Sequence, residues 1–326
     1  MQVLRPLFHI MVFPGFLFLV AFGLFASWVD RKLIAKFQNR VGPPILQPLA
    51  DLIKLLAKED IVPEHANRTM FVVAPLIALA GVIASIVYIP VWAPEAVESF
   101  QGDLIVVVYL LTLPAFALFL GGWYSTNPFA TIGSTRVLSQ LFGYEVPFFL
   151  ACLGPAIAAG SWSISDVTLA QFGGHWLIAL APLSFIVAMV ALIGKLERVP
   201  FDIPQANTEI VSGPEVEYTG RRLAVWKLTF LTETIVGSAL IAALFLGGPD
   251  FWGISYQAMG PWVGGLVGMI VLGVKILLIV FFLSLAQAAM ARLRIEQMVQ
   301  WCLLWLGIPA LINIGAIAVM VHQLGV

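Results

Sequence analysis

Charged residues are scarce in this chain of 326 residues. Asp, Glu, Lys and Arg make up 11% of it, whereas hydrophobic residues make up 60%, and the mean hydropathy is +0.98. Water-soluble domains typically contain about 25% charged residues, so the composition excludes a soluble domain of this length and predicts a largely lipid environment. The net charge of -1 offers no bulk attraction to nucleic acid, which we do not expect as a partner.

Cysteine and clustered histidine are also lacking. The two cysteines, Cys152 and Cys302, are each isolated in an apolar run, which excludes a disulfide framework or a cysteine-ligated iron-sulfur site built from this chain alone. The four histidines are His9, His65, His175 and His322. They show no i, i+4 pairing and therefore do not predict a metal site. We expect no metal and no cofactor in the chain itself, so any redox chemistry belongs to a partner.

Long apolar stretches are what the sequence has in quantity. A transmembrane helix needs roughly 20 predominantly apolar residues to cross the hydrocarbon core of a bilayer. Eight stretches qualify, and they cover residues 10–28, 70–92, 104–122, 135–159, 175–194, 228–246, 262–290 and 301–320. The sequence therefore predicts an all-α integral membrane protein with eight transmembrane helices, forming a single polytopic domain over residues 1–326.

The seven predicted loops differ sharply in positive charge. With Arg136, at the start of the fourth span, counted in loop 3, loops 1, 3, 5 and 7 hold 15 of the 17 Lys and Arg residues, whereas loops 2, 4 and 6 hold none. Cytoplasmic loops of membrane proteins carry the excess of Lys and Arg. We therefore expect loop 1 (31–68) and loop 5 (195–227) to be cytoplasmic, both termini to face the outer side, and the chain to lie in a prokaryotic plasma membrane.

Loop 1 contains an amphipathic pattern directly after the turn-forming segment "GPP". Its apolar residues recur near helical spacing, with Asp51, Lys54 and Lys58 between them. These apolar residues are Ile45, Leu46, Leu49, Leu52, Ile53, Leu55 and Leu56. The pattern predicts a helix that either anchors the loop at the membrane surface or forms a lateral wall over an opening between helices.

Loop 5 lies within the stretch "GKLERVPFDIPQANTEIVSGPEVEYTGRR", which is dense in charge and proline. Pro200 and Pro204 fix the backbone locally, so this part cannot simply continue the fifth helix. Its charges alternate with Phe201, Ile203 and Tyr218, unlike the Ser and Gly of a flexible linker. Charges that merely face water are the plainer alternative, but the interleaving favours a folded, partly buried loop for docking and proton input.

Apart from Arg136 at the start of the fourth span, three Asp, Glu, Lys or Arg residues fall inside predicted spans: Glu145, Glu233 and Lys275. Such residues are costly in lipid unless they face protein, water or a counter-charge, and they are functional candidates for that reason. A carboxylate whose surroundings change can bind and release a proton. The structural alternative is a buried ion pair, for example Glu145 with Arg136 or Glu233 with Lys275.

Four separated motifs carry a family resemblance. These are "RVGPPILQPLADLIKLLAKEDIVP", "YEV" in the fourth span, "RVPFDIPQANTEIVSGPEVEYTG" and "ARLRIEQMVQ" before the last span. In this order, over essentially the whole chain, they resemble subunit 1 of respiratory complex I, the NuoH family. The resemblance implies a non-catalytic membrane subunit at the junction with a peripheral redox arm, which couples electron transfer to translocation of protons or sodium ions.

The branch of the family is indicated by finer features. "GPPILQP" closes without the additional residues usual in quinone-reducing complexes, and the loop 5 motif resembles the form in group 4 nickel-iron hydrogenases and their sulfur-reducing relatives. This implies ferredoxin as electron donor, antiporter-like membrane neighbours, and peripheral hydrogenase-like subunits that hold a nickel-iron site and iron-sulfur clusters. One alternative is the quinone-chamber subunit of an NADH:quinone oxidoreductase, in which the first span, the loop 1 helix and the sixth span would enclose a lipid-open apolar cavity. A stand-alone transporter is the other.

The resemblance and the intramembrane charges together give a candidate site. The expected proton path consists of Glu145, Asp202, Glu209, Glu215, Glu217, Glu233 and Lys275. The arginines expected to dock the peripheral arm are Arg40, Arg198, Arg221 and Arg222, because a guanidinium stays charged and presents a planar fork. Two positions depart from the family pattern. Gln205 stands where relatives often have Glu, and Glu233 comes three residues after Phe230, where complex I carries its acid.

Overall fold

The computed structural model describes residues 4–251 and 260–324, and every regular element in them is helical. The helices in chain order are α1 Leu4–Met11, α2 Phe16–Phe37, α3 Gln47–Ala57, α4 Arg68–Ile86, α5 Asp103–Leu110, α6 Leu113–Trp123, α7 Pro128–Ala159, α8 Ile164–Ala170, α9 Pro182–Lys195, α10 Asn207–Ile210, α11 Gly220–Phe245, α12 Pro261–Ala289, α13 Ile295–Trp301 and α14 Ile308–Leu324. A π-helical segment, Cys302–Gly307, joins α13 to α14. The predicted all-α membrane fold is confirmed.

Seven helices or continuous helix pairs in the described ranges are long and apolar enough to cross a membrane. The predicted fifth span is shorter than expected, because residues 175–181 form turns and α9 contains only 14 residues. At 1.5 Å per residue α9 is about 21 Å long, less than the roughly 30 Å of a hydrocarbon core. The first span is longer than expected, since α2 continues through the basic segment to Phe37.

Helix α11 is the centre of the bundle. Within its most apolar window 89% of the residues are buried, compared with 28% to 50% in the other six spans. It packs against α2, α4, α9 and α12 and also contacts α3. Because protein surrounds α11 on all sides, the polar residues Thr229, Thr232 and Glu233 on it lie in the interior and not against lipid.

Helix α3 has the amphipathic character that the sequence predicts. Leu46, Leu49, Ile53 and Leu56 are exposed along one side. On the other side, Asp51 accepts a hydrogen bond from Arg31 Nη1 of α2 at 2.7 Å. The exposed apolar side fits an interfacial helix, while the opposite side faces α2 and α11.

Loop 5 is folded into the bundle, as its alternating pattern predicts. Phe201, Ile203, Ile210 and Tyr218 are all at least 95% buried. The Tyr218 ring stacks on the Phe71 ring with centroids 4.1 Å apart, and its hydroxyl donates to the Phe71 carbonyl at 3.2 Å. The loop therefore holds a fixed shape against α4 and α6 instead of moving freely in water.

Close backbone contact at two glycines fixes the position of loop 5 against α7. A Cβ atom on Gly133 would lie 2.6 Å from Pro214 Cδ and 2.7 Å from Gly213 Cα. Gly213 itself has φ +52, a conformation that other residues rarely adopt. Neither position leaves room for a side chain, so the two backbones can approach only because both residues are glycine.

We predict that Gly133→Ala displaces loop 5. The added methyl group must push Pro214 away, which we expect to cost about 1–3 kcal/mol, the range for overpacked sites. Thermal unfolding of the purified complex, together with limited proteolysis within loop 5, measures the effect. Gly143→Ala in the same helix is the control, because its nearest neighbour, Met298 Sδ, lies at 3.4 Å. Equal melting temperatures and equal cleavage in both variants would contradict the prediction.

Candidate functional site

A cavity of about 340 Å³ lies between α2, α3, α11 and loop 5. These are the elements that the quinone alternative requires, but the lining is not predominantly apolar. Its charged residues are Asp30, Arg31, Asp51, Glu197, Arg198, Asp202 and Lys227. Leu52, Leu55, Phe230 and Leu231 provide apolar parts of the wall. A space with this lining is suited to water and exchangeable protons at least as well as to an apolar ring.

Arg198 lies inside this cavity and not on a docking surface. Its Nη1 donates to Asp30 Oδ1 at 3.2 Å, and its Nη2 donates to Thr234 Oγ1 at 3.4 Å. Ser284 of α12 also donates to Asp30, at 2.6 Å. Arg198 therefore ties loop 5 to the interior of α2 and α11, which corrects its predicted docking role: the guanidinium is engaged by an internal carboxylate.

Two carboxyls of loop 5 face the cavity, one bound to an arginine and the other to a glutamine. Asp202 accepts from Arg292 Nη2 at 2.6 Å, and burial raises the pKa of Asp202 more than Arg292 lowers it. Glu197 is buried and accepts from Gln205 Nε2 at 3.0 Å. Burial, followed by the charge of Glu215, raises the pKa of Glu197 to about 8. Gln205, the departure from the family pattern, thus donates to an acid that the sequence motifs do not single out.

The other three acids of loop 5 have separate partners. Glu209 is largely exposed and accepts from Arg136 at 2.7 Å. Glu217 accepts from the amide of Asn127. Glu215 is buried and accepts from Lys227 at 2.6 Å. Glu209 and Glu217 do not line the cavity, so the structure does not bring the predicted loop acids into one continuous row.

A partly buried ion pair joins α7 to the end of α9, and the Glu145 side chain in it is 21% exposed. Lys195 Nζ donates to Glu145 Oε2 at 2.9 Å, and the Lys195 side chain is completely inaccessible to solvent. The ammonium also lies 5.3 Å from the ring centroids of both Tyr144 and Phe148. The suggested pair of Glu145 with Arg136 is therefore wrong, because Arg136 binds Glu209 instead.

Glu233 lies close to this pair in the interior. It is 98% buried and interacts electrostatically with Lys195, Glu197 and Glu145. Phe230, where complex I carries its acid, lines the cavity. Residues three apart on a helix point about 60° from one another, so Glu233 does not occupy the same place on the surface of α11 as Phe230. Glu233 is not in the cavity wall, although it lies close enough to act on the cluster behind it.

Lys275 is remote from these acids. Its ammonium donates to the carbonyls of Leu246 at 2.5 Å and Gly248 at 2.9 Å, and also to that of Asp250. These carbonyls follow the C-terminal end of α11, where a cation is favoured by the helix dipole. The suggested Glu233–Lys275 pair is therefore wrong, and the predicted place of Lys275 in the proton path is not supported by its position.

The docking arginines divide into two kinds. Arg40 and Arg221 are exposed at the end of the bundle that carries loops 1 and 5. Arg222, by contrast, donates to Asp60 at 2.8 Å and lies over the Phe71 ring. Arg222 therefore holds loop 1 against α11, and its predicted docking role is corrected in the same way as that of Arg198.

Lys195 and Glu197 are the main site residues that the sequence does not reveal. Both belong to "GKLER", directly after an apolar run, where a lysine ordinarily counts as a cytoplasmic flank. Tyr144 and Gln140 are not revealed either. The Tyr144 hydroxyl and Gln140 Oε1 are buried and have no hydrogen-bond partner among residues 4–251 and 260–324. Buried polar atoms of this kind ordinarily bind internal water.

Among residues 4–251 and 260–324, no group of three or more His, Cys, Asp or Glu side chains is placed to hold a metal ion.

Comparison with known proteins gives a consistent result over nearly the whole chain. Residues 9–318 match the family model described as NADH dehydrogenase. A NuoH homologue from the NADH-quinone oxidoreductase of Thermomicrobium roseum is 35% identical over 331 residues, covering 92% of this chain and 93% of that protein. The corresponding protein of Geobacillus thermodenitrificans is 33% identical over 311 residues, covering 93% of this chain and 91% of that protein.

A solved structure resembles the whole fold. It is a chain of the membrane-bound sulfane sulfur reductase, described as an archaeal respiratory membrane complex. The TM-score is 0.84 with 28% sequence identity, and the match covers 98% of each chain. The similarity therefore extends to the arrangement of the helices as well as to the sequence motifs.

We predict that ionisation of Glu197 destabilises the folded chain. Because its folded-state pKa of about 8 lies above the ordinary value of 4.5, the stabilisation from its proton is fully present below pH 4.5 and is lost as the pH rises through about 8. Glu197→Gln should therefore melt at a higher temperature than the wild type above pH 8, and the difference should shrink toward pH 4.5. Thermal unfolding across this range tests the prediction. The exposed Glu209→Gln serves as control, and a pH-independent difference for Glu197→Gln would contradict it.

Proposed function

Given that this chain belongs to the NADH dehydrogenase family as a NuoH-like membrane subunit, we propose that it couples the two arms of a respiratory membrane complex. It anchors a peripheral redox arm of a ferredoxin-linked hydrogenase or sulfur-reducing complex, and links electron transfer there to translocation of protons or sodium ions. In this role the chain itself transfers no electrons and catalyses no reaction.

One observation carries the proposal. The start of loop 5 separates the charged cavity on one side from the interior carboxyls Glu145 and Glu233 on the other. Glu197 and Arg198 line the cavity, while Lys195, two residues earlier, lies against Glu145 in the interior. A shift of this short segment therefore acts on both spaces at once. Such a shift is the kind of change by which reduction of a partner can alter proton affinity inside the membrane.

The residues on either side of this segment have distinct proposed roles. Asp202 and Glu197 exchange protons with water in the cavity, since both line it and burial, nearly complete at Glu197 and partial at Asp202, raises their pKa values. Glu233 receives the proton on the interior side, and Glu145 passes it on toward antiporter-like neighbours. Glu215, held by Lys227, adds negative charge next to Glu197 and so favours its protonated form.

The proposed partners follow from the same placement. Peripheral subunits carrying a nickel-iron site and iron-sulfur clusters would bind at the end with loops 1 and 5, with reduced ferredoxin as donor to the complex. In this arrangement that end is cytoplasmic, both termini face the outer side, and the membrane is the prokaryotic plasma membrane. The concentration of Lys and Arg in loops 1 and 5 supports this orientation.

The charged lining of the cavity favours the ferredoxin-linked branch over quinone reduction. A quinone ring and tail need a predominantly apolar chamber, whereas seven charged residues contribute to this cavity. The structural similarity to a chain of the sulfane sulfur reductase supports the same branch.

A quinone-chamber subunit is the second candidate. Two observations favour it: the cavity lies between α2, α3 and α11, where that alternative requires it, and the two NuoH homologues belong by name to NADH-quinone oxidoreductases. In this case Leu52, Leu55, Phe230 and Leu231 would contact the ring, and water would have to leave the charged wall first.

Purification of the tagged complex in mild detergent distinguishes the candidates. We expect nickel or sulfur-reducing activity in the co-purifying subunits, electron uptake from reduced ferredoxin, and no tightly bound quinone. Activity is measured with ferredoxin or NADH as donor, and with protons, polysulfide or a short-chain quinone as acceptor. Bound quinone together with NADH activity would support the second candidate and overturn the first. A chain that purifies alone would contradict both.

Glu145→Gln is predicted to uncouple electron transfer from ion transport. The amide cannot release a proton, so the path ends at α7 even though the side chain keeps its shape. In vesicles containing the assembled variant complex, the number of ions transported per electron should be as low as in wild-type vesicles treated with an ionophore. Glu209→Gln is the control, because this exposed acid lies outside the cavity and the cluster. Undiminished transport in a fully assembled Glu145→Gln complex would rule out an essential proton role.

Arg40→Ala combined with Arg221→Ala is predicted to release the peripheral arm. Both guanidiniums are exposed and are expected to bind carboxylates or carbonyls of a partner. Native gels should show loss of the peripheral subunits while the membrane subunits stay together. Arg68→Ala removes another exposed arginine near loop 1 and should leave the complex intact. Retention of the arm by the double variant would overturn the docking assignment.

A further inference from the structure

One region in the interior of the bundle contains more acidic side chains than basic ones. Glu233 on α11 interacts electrostatically with Glu145 on α7 and with Glu197 at the start of loop 5. Lys195, the last residue of α9, provides the one positive charge within this group, and its ammonium is fully buried. The three carboxyls and this lysine are called the carboxyl cluster below.

The neighbouring cations are engaged elsewhere. Lys227 binds Glu215, Arg198 binds Asp30, and Arg292 binds Asp202. Arg136 binds Glu209 at the rim of loop 5. Each of these contacts satisfies the charge of the cation with a different acid. Lys227 also acts electrostatically on Glu197, but its ammonium binds Glu215. Among the described residues, Lys195 is thus the cation that forms an ion pair with a carboxyl of the carboxyl cluster itself.

Charge balance then limits how many of the three carboxyls are ionised. Removing an ion from water costs several kcal/mol even in real proteins, and a carboxylate without a counter-charge takes up a proton instead. One ammonium balances one carboxylate. The carboxyl cluster therefore holds one carboxylate and two protonated acids, and the position of Lys195 decides which of them is ionised.

We propose that Lys195 is a positioning residue that moves between Glu145 and Glu233 and so selects which of the two is ionised. This inference rests on the proposed coupling function. When the ammonium leaves Glu145 for Glu233, the proton of Glu233 transfers to Glu145, and the net charge of the carboxyl cluster does not change. Glu145 then releases that proton toward a neighbouring subunit. Glu197 transfers its proton to Glu233 as the ammonium returns to Glu145, and Glu197 takes up a new proton from the cavity that it lines.

The geometry around Lys195 suits this motion. Its ammonium ends a flexible four-carbon stem and lies against the faces of Tyr144 and Phe148, which attract a cation without fixing its direction. The Tyr144 hydroxyl, which lacks a partner among the described residues, can carry a proton between the carboxyls directly or through water. The backbone of Glu197, two residues on, has φ 50, a strained conformation for a residue with a side chain. Displacement of loop 5 would therefore be transmitted to Lys195 first.

The test compares Lys195→Met and Lys195→Arg in the assembled complex in vesicles. Reduced ferredoxin is the electron donor. The electron acceptor is protons, polysulfide or a short-chain quinone, each tested in a separate experiment. Dyes inside the vesicles report the pH and the sodium concentration. With an ionophore present, Lys195→Met should transfer electrons as fast as the wild type. Without the ionophore, the number of ions that Lys195→Met transports per electron should be as low as in wild-type vesicles treated with the ionophore. Lys195→Arg should restore transport, because the proposal needs a permanent positive charge that moves and does not need the lysine proton.

A structural role for Lys195 gives a different pattern. Lys195→Met leaves Glu145 without its cation and can impair assembly, so the double variant Lys195→Met with Glu145→Gln removes both charges together. It should assemble like the wild type, which would show that any assembly defect of Lys195→Met comes from the unpaired Glu145 carboxylate. Because Glu145→Gln alone is expected to stop transport, the double variant is used for assembly only, and Lys195→Arg provides the transport test. Normal transport in Lys195→Met, or failure of Lys195→Arg in a fully assembled complex, overturns the inference. Normal transport in Glu145→Gln overturns the proposed function instead, so the two failures can be told apart.

Discussion

The cost of an uncompensated charge inside a lipid-embedded bundle determines the arrangement of this chain. Apolar side chains fill most of the interior, so each buried acid needs a cation, a hydrogen-bond donor or a proton. Arg198 meets this need for Asp30, Lys227 for Glu215, and Lys195 for Glu145. Glu233 and Glu197 have no such cation of their own among the described residues, and for this reason they are the groups best able to hold exchangeable protons.

Loop 5 connects these charges to the surface because it is rigid. Tyr218 stacks on Phe71, and the backbone at Gly213 lies directly against Gly133 of α7. A flexible loop would absorb a movement of the peripheral arm within itself. In the proposed function, a loop held at these points transmits the movement to its root at Glu197, where the cavity and the carboxyl cluster meet. The proposed coupling depends both on the fixed shape of loop 5 and on the excess of acids over bases in the carboxyl cluster.

The sequence predicts the fold better than it predicts the site. Apolar run length and helical periodicity are properties of neighbouring residues, so seven spans and the interfacial helix α3 are recovered from them. The turns at residues 175–181 escape prediction because an apolar turn inside a bundle has the same composition as a helix. Pairing depends on residues far apart in the chain, and Lys195 meets Glu145 across 50 positions. Composition and spacing do not report such a contact, and a lysine next to a loop motif looks like an ordinary cytoplasmic flank.

The most direct test of coupling through the carboxyl cluster is a redox-induced infrared difference spectrum of the intact complex. Reduction of the peripheral arm should change the carbonyl stretch of a protonated carboxylic acid, and that change should disappear in Glu233→Gln. Glu64→Gln, an exposed acid of loop 1, should leave it in place. A spectrum without any carboxylic acid signal, or a signal that survives in Glu233→Gln, would contradict coupling through these buried protons.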